Sequence, residues 1–192
     1  IDSTLSSTRI SLPPNGAEDR WTTEWHDQCA GWFAEASEAL LFGHLLVVDY
    51  ALEAERYYSL QRSQGTLMAY RNQEASLDFL VDAGEQDLTA HLCIETLIHQ
   101  ATTNGWQLEG HCRQGEALLA LGLAERFSSL QLLPGQQLGK ALQRREALLR
   151  LVDPTCLGDF RWLSFLRLNS SLTMNELKTK SQFLREPTDI SA

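Results

Sequence analysis

Apolar residues recur every three or four positions in several parts of the chain. The first such stripe, over residues 21–40, predicts a helix. Similar stripes predict helices over 94–101, 118–130 and 138–152. A kink is expected at Gly122, because glycine weakens the interior of a helix.

Other segments have the patterns of strands. Residues 45–50 form a continuous apolar run that ends in Asp49 and Tyr50, which predicts a buried strand of a parallel sheet. Residues 106–112 and 160–168 also predict strands, while residues 51–86 are less regular. Strands that alternate with helices indicate an α/β protein.

Composition and charge narrow the class of protein. The chain has 192 residues, of which 43% are hydrophobic and 21% charged, as in an ordinary globular domain. We expect an N-terminal arm over 1–20, one domain over 21–168 and a polar tail over 169–192. The net charge of −9 disfavours nucleic acid and anionic lipid as partners, and no apolar run is long enough to cross a membrane.

Common catalytic motifs are missing from the sequence. It contains neither a glycine-rich phosphate loop, nor a nucleophile elbow, nor the HExxH spacing of zinc enzymes. The four cysteines are scattered, so the sequence predicts no metal site.

Carboxylates at the ends of predicted elements are the remaining candidates for chemistry. Asp49 ends a strand, where ligand sites of α/β sheets lie, although aspartate there also serves as a helix N-cap or turn residue. Glu85 and Asp87 follow, with Tyr70 and Thr89 near them in sequence. Such carboxylates can hold a guanidinium through paired hydrogen bonds, or they are capping and turn residues.

Four segments, in order along the chain, resemble the MidA-type S-adenosylmethionine-dependent methyltransferases. They are Leu46-Val47-Val48-Asp49-Tyr50, Arg62-x-x-Gly65-Thr66-Leu67-x-x-Tyr70, Gly84-Glu85-x-Asp87-Leu88-Thr89-Ala90-His91 and Gln114-Gly115-Glu116-Ala117-Leu118-Leu119-Ala120-Leu121-Gly122. That family includes a mitochondrial protein-arginine methyltransferase that assists assembly of respiratory complex I. The resemblance covers roughly residues 20–168.

The resemblance implies the C-terminal half of a class I, Rossmann-like methyltransferase fold. The strands at 45–50, 106–113 and 160–168 look like the fifth, sixth and seventh strands of the family, which lie in the sheet order 5-7-6. The first four strands, with the glycine-rich loop that binds S-adenosylmethionine, have no counterpart in this chain. The cofactor is therefore expected for a longer parent protein, and this chain alone is expected to be inactive.

The resemblance also assigns roles to residues. Asp49, Glu85 and Asp87 would be catalytic, Tyr70, Thr89 and His91 would bind the substrate, and Asp49 and Tyr50 would border the cofactor. The expected partner is a protein substrate, in the cytoplasm or, alternatively, in the mitochondrial matrix. The competing hypothesis is a non-catalytic interaction module from a split or degenerate methyltransferase. The open edge of strand 45–50 would allow a homo-oligomer.

Overall fold

A computed structural model describes residues 21–168 and 181–184 of the chain. The described residues divide into two units, the first containing 21–39 and 50–105 and the second containing 40–49, 106–168 and 181–184. The predicted arm, and most of the predicted tail, lie outside the described residues.

Three helices belong to the first unit. They are α1 (Gln28–Ala39), α2 (Ala54–Tyr57) and α3 (Ile94–Thr103). Helix α1 packs against α3, and its one buried residue is Phe33. The prediction of a helix from residue 21 is wrong for residues 21–27, where Thr22 instead forms a bridge with Gln64. The prediction for α3 is confirmed, with the positive φ of Gly105 directly after its C-cap.

Short strands make up the remainder of the first unit. They are β2 (Ala51–Leu52), β3 (Met68–Arg71), β4 (Glu74–Ser76), β5 (Asp87–Thr89) and β6 (Leu92–Cys93). Strand β2 pairs in parallel with β6, and β3 lies between β4 and β5 in an antiparallel sheet. A turn through Asn72 and Gln73, both with positive φ, joins β3 to β4.

One three-stranded sheet organises the second unit. Its strands are β1 (Gly43–Asp49), β7 (Gln107–Arg113) and β8 (Arg161–Arg167). Their order is β1-β8-β7, and β8 runs antiparallel to both neighbours. This is the predicted 5-7-6 order, and the mixed α/β class is confirmed.

Strand β1 differs from its prediction. Half-buried and exposed positions alternate along it, with Leu46 and Val48 45% and 42% exposed. Its partner β8 is antiparallel, so the prediction of a strand buried in a parallel sheet is wrong. Hydrophobic side chains on both faces do not require that both faces be covered, particularly at the edge of a sheet.

The helices of the second unit follow β7. They are α4 (Gln114–Ala120), α5 (Leu123–Gln131) and α6 (Leu138–Val152). Gly122, at φ 90°, separates α4 from α5, so the expected kink is a complete break. Helix α6 confirms its prediction.

A buried carboxylate ties together three parts of the second unit. Glu109 lies at an irregularity in the pairing of β7 with β8. Its Oε2 accepts hydrogen bonds from the Ser164 hydroxyl at 2.6 Å and the Ser181 hydroxyl at 2.8 Å, and lies 2.9 Å from Nδ1 of His44. Beside it, Phe183 packs edge-on against Trp162.

Candidate functional site

The carboxylate of Glu24, in the segment before α1, organises a polar cluster in the first unit. Its Oε1 accepts the backbone N–H groups of Thr66 at 2.7 Å and Leu67 at 2.9 Å. Its Oε2 accepts the hydroxyls of Thr66 and Tyr57, each at 2.9 Å. One side chain thereby fixes the loop that leads into β3.

Gly65 allows this close approach. Its φ is +85°, and a Cβ atom there would lie 2.5 Å from Oε1 of Glu24. A side chain would therefore meet both an unfavourable backbone conformation and a clash. The Gly65-Thr66-Leu67 segment is therefore shaped by a carboxylate that is distant in sequence.

The hydrogen bonds keep Glu24 ionised. Burial by itself would raise the pKa of this carboxyl, but the bonds from Thr66 and Tyr57 outweigh burial and hold the pKa below its usual value. The cluster therefore contains a fixed negative charge at neutral pH.

Tyr57 connects this charge to His26. The Tyr57 side chain is 2% exposed, and its hydroxyl lies 3.2 Å from Nε2 of His26. Because the Tyr57 hydroxyl donates its hydrogen bond to Glu24, the phenol oxygen is placed to accept a hydrogen bond from an Nε2–H group of His26. Burial raises the pKa of Tyr57, and the hydrogen bond and charge of Glu24 raise it further, so the phenol stays neutral.

Thr66 links Glu24 to His91, one of the predicted site residues. Its hydroxyl accepts the backbone N–H of His91 at 2.9 Å. The His91 ring lies 5.8 Å from the Tyr50 ring, and the Tyr50 carbonyl accepts the N–H of Leu92 at 2.8 Å. Two predicted site residues, Tyr50 and His91, are thus neighbours.

A pocket of about 110 Å³ adjoins the cluster. Its walls include Glu24, Trp25, His26, Tyr58, Thr96 and Gln100. Thr96 and Gln100 are buried polar residues of α3, at 6% and 8% exposure. The pocket thus combines aromatic surface with groups that can form hydrogen bonds.

Three other predicted residues share one face of the sheet β4-β3-β5. Tyr70 of β3 lies opposite Asp87 of β5, and Thr89 is two residues further along β5. Because alternate strand positions face the same side, these three side chains project together. Glu85 lies outside the strand, in a turn where its N–H donates to the Asp82 carbonyl.

Asp49 belongs to the other unit. It ends β1, opposite Arg161 of β8, whose side chain is buried. No helix begins at the next residue, because β2 starts at Ala51, so the alternative role as a helix N-cap is wrong. The residue remains a candidate at the end of a strand.

Glu24, His26 and Tyr57 were not among the predicted site residues. The first two fall within the apolar stripe that predicted a helix from residue 21, so they were assigned no role. Asp27 offered a signal, since aspartate is favoured directly before a helix, and α1 indeed begins at Gln28. Tyr57 lies in the irregular stretch and has no comparable signal.

A protein-family model matches residues 2–112, more than half of the chain, and is described as "Putative S-adenosyl-L-methionine-dependent methyltransferase". The chain belongs to this family. The matched region contains the Glu24 cluster and all seven of the predicted site residues.

Two solved structures from Burkholderia thailandensis resemble this member of the family. One, a "likely methyl transferase" bound to S-adenosyl-homocysteine, has a TM-score of 0.70 and 26% identity over 78% of this chain. The other, an uncharacterized protein of the same superfamily, has a TM-score of 0.68 and 27% identity over 76% of this chain. The chain spans 38% of the length of each. No curated protein matches it.

The described residues include no glycine-rich turn from a strand into a helix. A class I cofactor site needs a glycine-rich turn from a strand into a helix. The five glycines with positive φ within 21–168 lie elsewhere: Gly43, Gly65, Gly84, Gly105 and Gly122. In the same part of the chain, no group of histidine, cysteine or acidic side chains could hold a metal ion, and no helix is long and apolar enough to span a membrane.

Proposed function

We propose that this protein transfers a methyl group from S-adenosylmethionine to a nitrogen atom of a partner protein, and that the acceptor is an arginine side chain, as it is for the mitochondrial arginine methyltransferase of the MidA-type family. The observation that carries the proposal is the similarity to the structure bound to S-adenosyl-homocysteine. That molecule is what remains of S-adenosylmethionine after its methyl group has left.

The face of β3 and β5 supports a guanidinium as the acceptor. The Asp87 carboxylate can receive paired hydrogen bonds from a guanidinium, and the Tyr70 ring opposite it, 41% exposed, can stack on the same planar group. Thr89 adds a hydroxyl on that face. In this proposal the three residues orient the arginine side chain. The resemblance to the MidA-type enzymes gives Asp49 and Tyr50 their expected role beside the cofactor.

The Glu24 cluster fixes the backbone at one end of this face. It fixes the loop that enters β3 and, through Thr66, the backbone at His91 just after β5. Both strands of the proposed substrate face are therefore held at one end by the same carboxylate. Glu24 is in this sense a positioning residue, because no substrate contact is assigned to it.

The experiment uses the complete gene product with S-adenosylmethionine carrying an isotopically labelled methyl group. Two peptides serve as acceptors, one with a single arginine and a matched one with lysine at that position. We expect mass spectrometry to find one added methyl group on the arginine peptide only, and Asp87→Asn to reduce the transfer more than Asp78→Asn. Equal labelling of the lysine peptide, or no labelling by a folded protein that binds the cofactor, contradicts the proposal.

The second candidate function is a non-catalytic interaction module. It is favoured by β1, which lies at the edge of its sheet within the described residues and exposes Leu46 and Val48. An open edge with apolar side chains can pair with another chain. A complete gene product that binds a partner protein but not S-adenosylmethionine would favour this function.

A further inference from the structure

Helices α5 and α6 of the second unit form, with the end of α4, a groove of about 600 Å³. Six of its lining residues are leucines: Leu118, Leu121, Leu123, Leu130, Leu148 and Leu151. Leu123 is 6% exposed whereas Leu121 is 46% exposed, so part of the apolar lining is packed and part is open to solvent. We call this the α5–α6 groove.

Two arginines line the same groove. Arg126 comes from α5 and Arg144 from α6, and both side chains are exposed. The lining includes no aspartate or glutamate. Neither arginine forms an ion pair with any residue in the part of the chain that the structure describes. The groove therefore combines apolar surface with uncompensated positive charge.

Helix α6 extends this positive charge along its length. It carries four basic residues, Lys140, Arg144, Arg145 and Arg150, against the single acid Glu146. Glu146 lies 2.8 Å from Arg150, which leaves the other three without a carboxylate on the helix. A basic helix is unexpected in a chain whose net charge is −9. The reversal of charge is local to α6, of which Arg144 lines the groove.

We infer that the α5–α6 groove binds an acidic amphipathic helix of a partner protein. Leucines on one face of such a helix would fill the apolar groove, and carboxylates beside them would meet Arg126 and Arg144. The family model ends at residue 112, before α4 begins.

Charge argues against two other occupants. A second copy of this chain, docked symmetrically, would bring the two α6 helices and their basic residues together. An anionic amphiphile has one charged headgroup, whereas the groove presents two arginines, Arg126 and Arg144, from two different helices. A helix that carries several carboxylates can pair with both.

The test is fluorescence anisotropy with a labelled peptide of about 18 residues that has leucines at i, i+3, i+4 and i+7 and glutamates between them. A second peptide has lysine in place of every glutamate. The complete gene product should bind the glutamate peptide with micromolar affinity, at least about tenfold tighter than the lysine peptide. Added salt should weaken binding, because exposed charges are screened.

Neighbouring residues of α6 provide the matched variants. Arg144→Glu should weaken binding at least about tenfold, whereas Arg145→Glu, which changes the lining of a different groove, should leave it within about twofold. Circular dichroism establishes that both variants are folded. Equal losses in the two variants, no binding of the glutamate peptide, or its displacement by low concentrations of oleate would each overturn the inference. A peptide-independent dimer abolished by Arg144→Glu would also do so.

Discussion

Glu24 and Thr66, 42 residues apart in the chain, are joined by two hydrogen bonds, one to the backbone N–H and one to the hydroxyl of Thr66. The same hydroxyl accepts the N–H of His91. Three segments that are distant in sequence therefore meet at one polar centre. This centre determines where β3 and β5, which carry the proposed substrate face, begin and end.

Glu24→Gln should destabilise the first unit by about 1–2 kcal/mol, because an amide replaces one acceptor oxygen with a donor and removes the charge. The half-buried N–H and O–H groups that Glu24 now satisfies would lose part of their hydrogen bonding. Urea denaturation measures the change. Glu38→Gln, on an exposed position of α1, is the control and should change stability by less than about 0.5 kcal/mol. An equal effect in both variants would show that Glu24 does not organise the loop.

Gly65→Ala should be more destabilising than Gly84→Ala. Both glycines have positive φ, +85° and +92°, so both variants carry a backbone cost of about 1–2 kcal/mol. Only Gly65 has a carboxylate oxygen 2.5 Å from the position of the new Cβ, whereas nothing lies within 4 Å at Gly84. The difference between the melting temperatures of the two variants measures the destabilisation that the clash with Glu24 causes. Equal melting temperatures would mean that the Glu24 side chain moves away from the new methyl group without loss of stability.

Local patterns were sufficient to predict the elements whose shape depends on neighbours in the sequence. Helices α3 and α6 were both predicted from the spacing of their apolar residues, over 94–101 and 138–152. The sheet order came instead from the resemblance to a family, since pairing of β1 with β8 joins segments more than a hundred residues apart. No local period specifies such a pairing.

The errors arise where long-range contacts override the local pattern. Residues 21–27 have helix-like spacing, yet Glu24 there forms its hydrogen bonds with Thr66 and Leu67, which an extended segment reaches. Gly122 was expected to kink a helix, but its left-handed backbone conformation ends one helix and begins another. The predicted site residues all lie in segments that resemble the family. Glu24, whose carboxylate fixes the backbone near them, lies in none of these segments.

Acid should destabilise the second unit through Glu109. Burial alone would raise the pKa of this carboxyl, but hydrogen bonds from Ser164, Ser181 and His44 outweigh burial and hold the pKa below the usual 4.5. A carboxyl whose pKa is lower in the folded state stabilises the fold above its unfolded pKa, and that contribution disappears as the pH falls through the folded pKa.

In Glu109→Gln, the free energy of unfolding should therefore fall less steeply than in the wild type as the pH drops below about 4.5. Urea denaturation at several pH values measures this dependence. Glu35→Gln, an exposed substitution on α1, should leave the pH profile unchanged. Parallel profiles for the wild type and Glu109→Gln would show that the hydrogen bonds contribute nothing to the acid response.

The edge of β1 should promote self-association. Within the described residues β1 pairs only with β8, and Val48 is 42% exposed. Light scattering of this chain should show a mass that rises with concentration, and Val48→Lys should suppress the rise because a lysine disfavours edge pairing. A monomer at all concentrations, with slow hydrogen exchange throughout β1, would show that the edge is covered.

Methyl transfer by the complete gene product, measured by mass spectrometry for the wild type and Asp49→Asn, tests the central claim most directly. The proposal predicts a loss of transfer of about a hundredfold or more, because the resemblance to the MidA-type enzymes gives Asp49 a catalytic role. The change in unfolding free energy should stay below about 1.5 kcal/mol. Asp78→Asn, in an exposed turn, should keep full transfer. The account is contradicted if Asp49→Asn unfolds at a lower temperature but transfers methyl groups normally in its folded fraction. Asp49 would then only stabilise the fold at its position opposite Arg161.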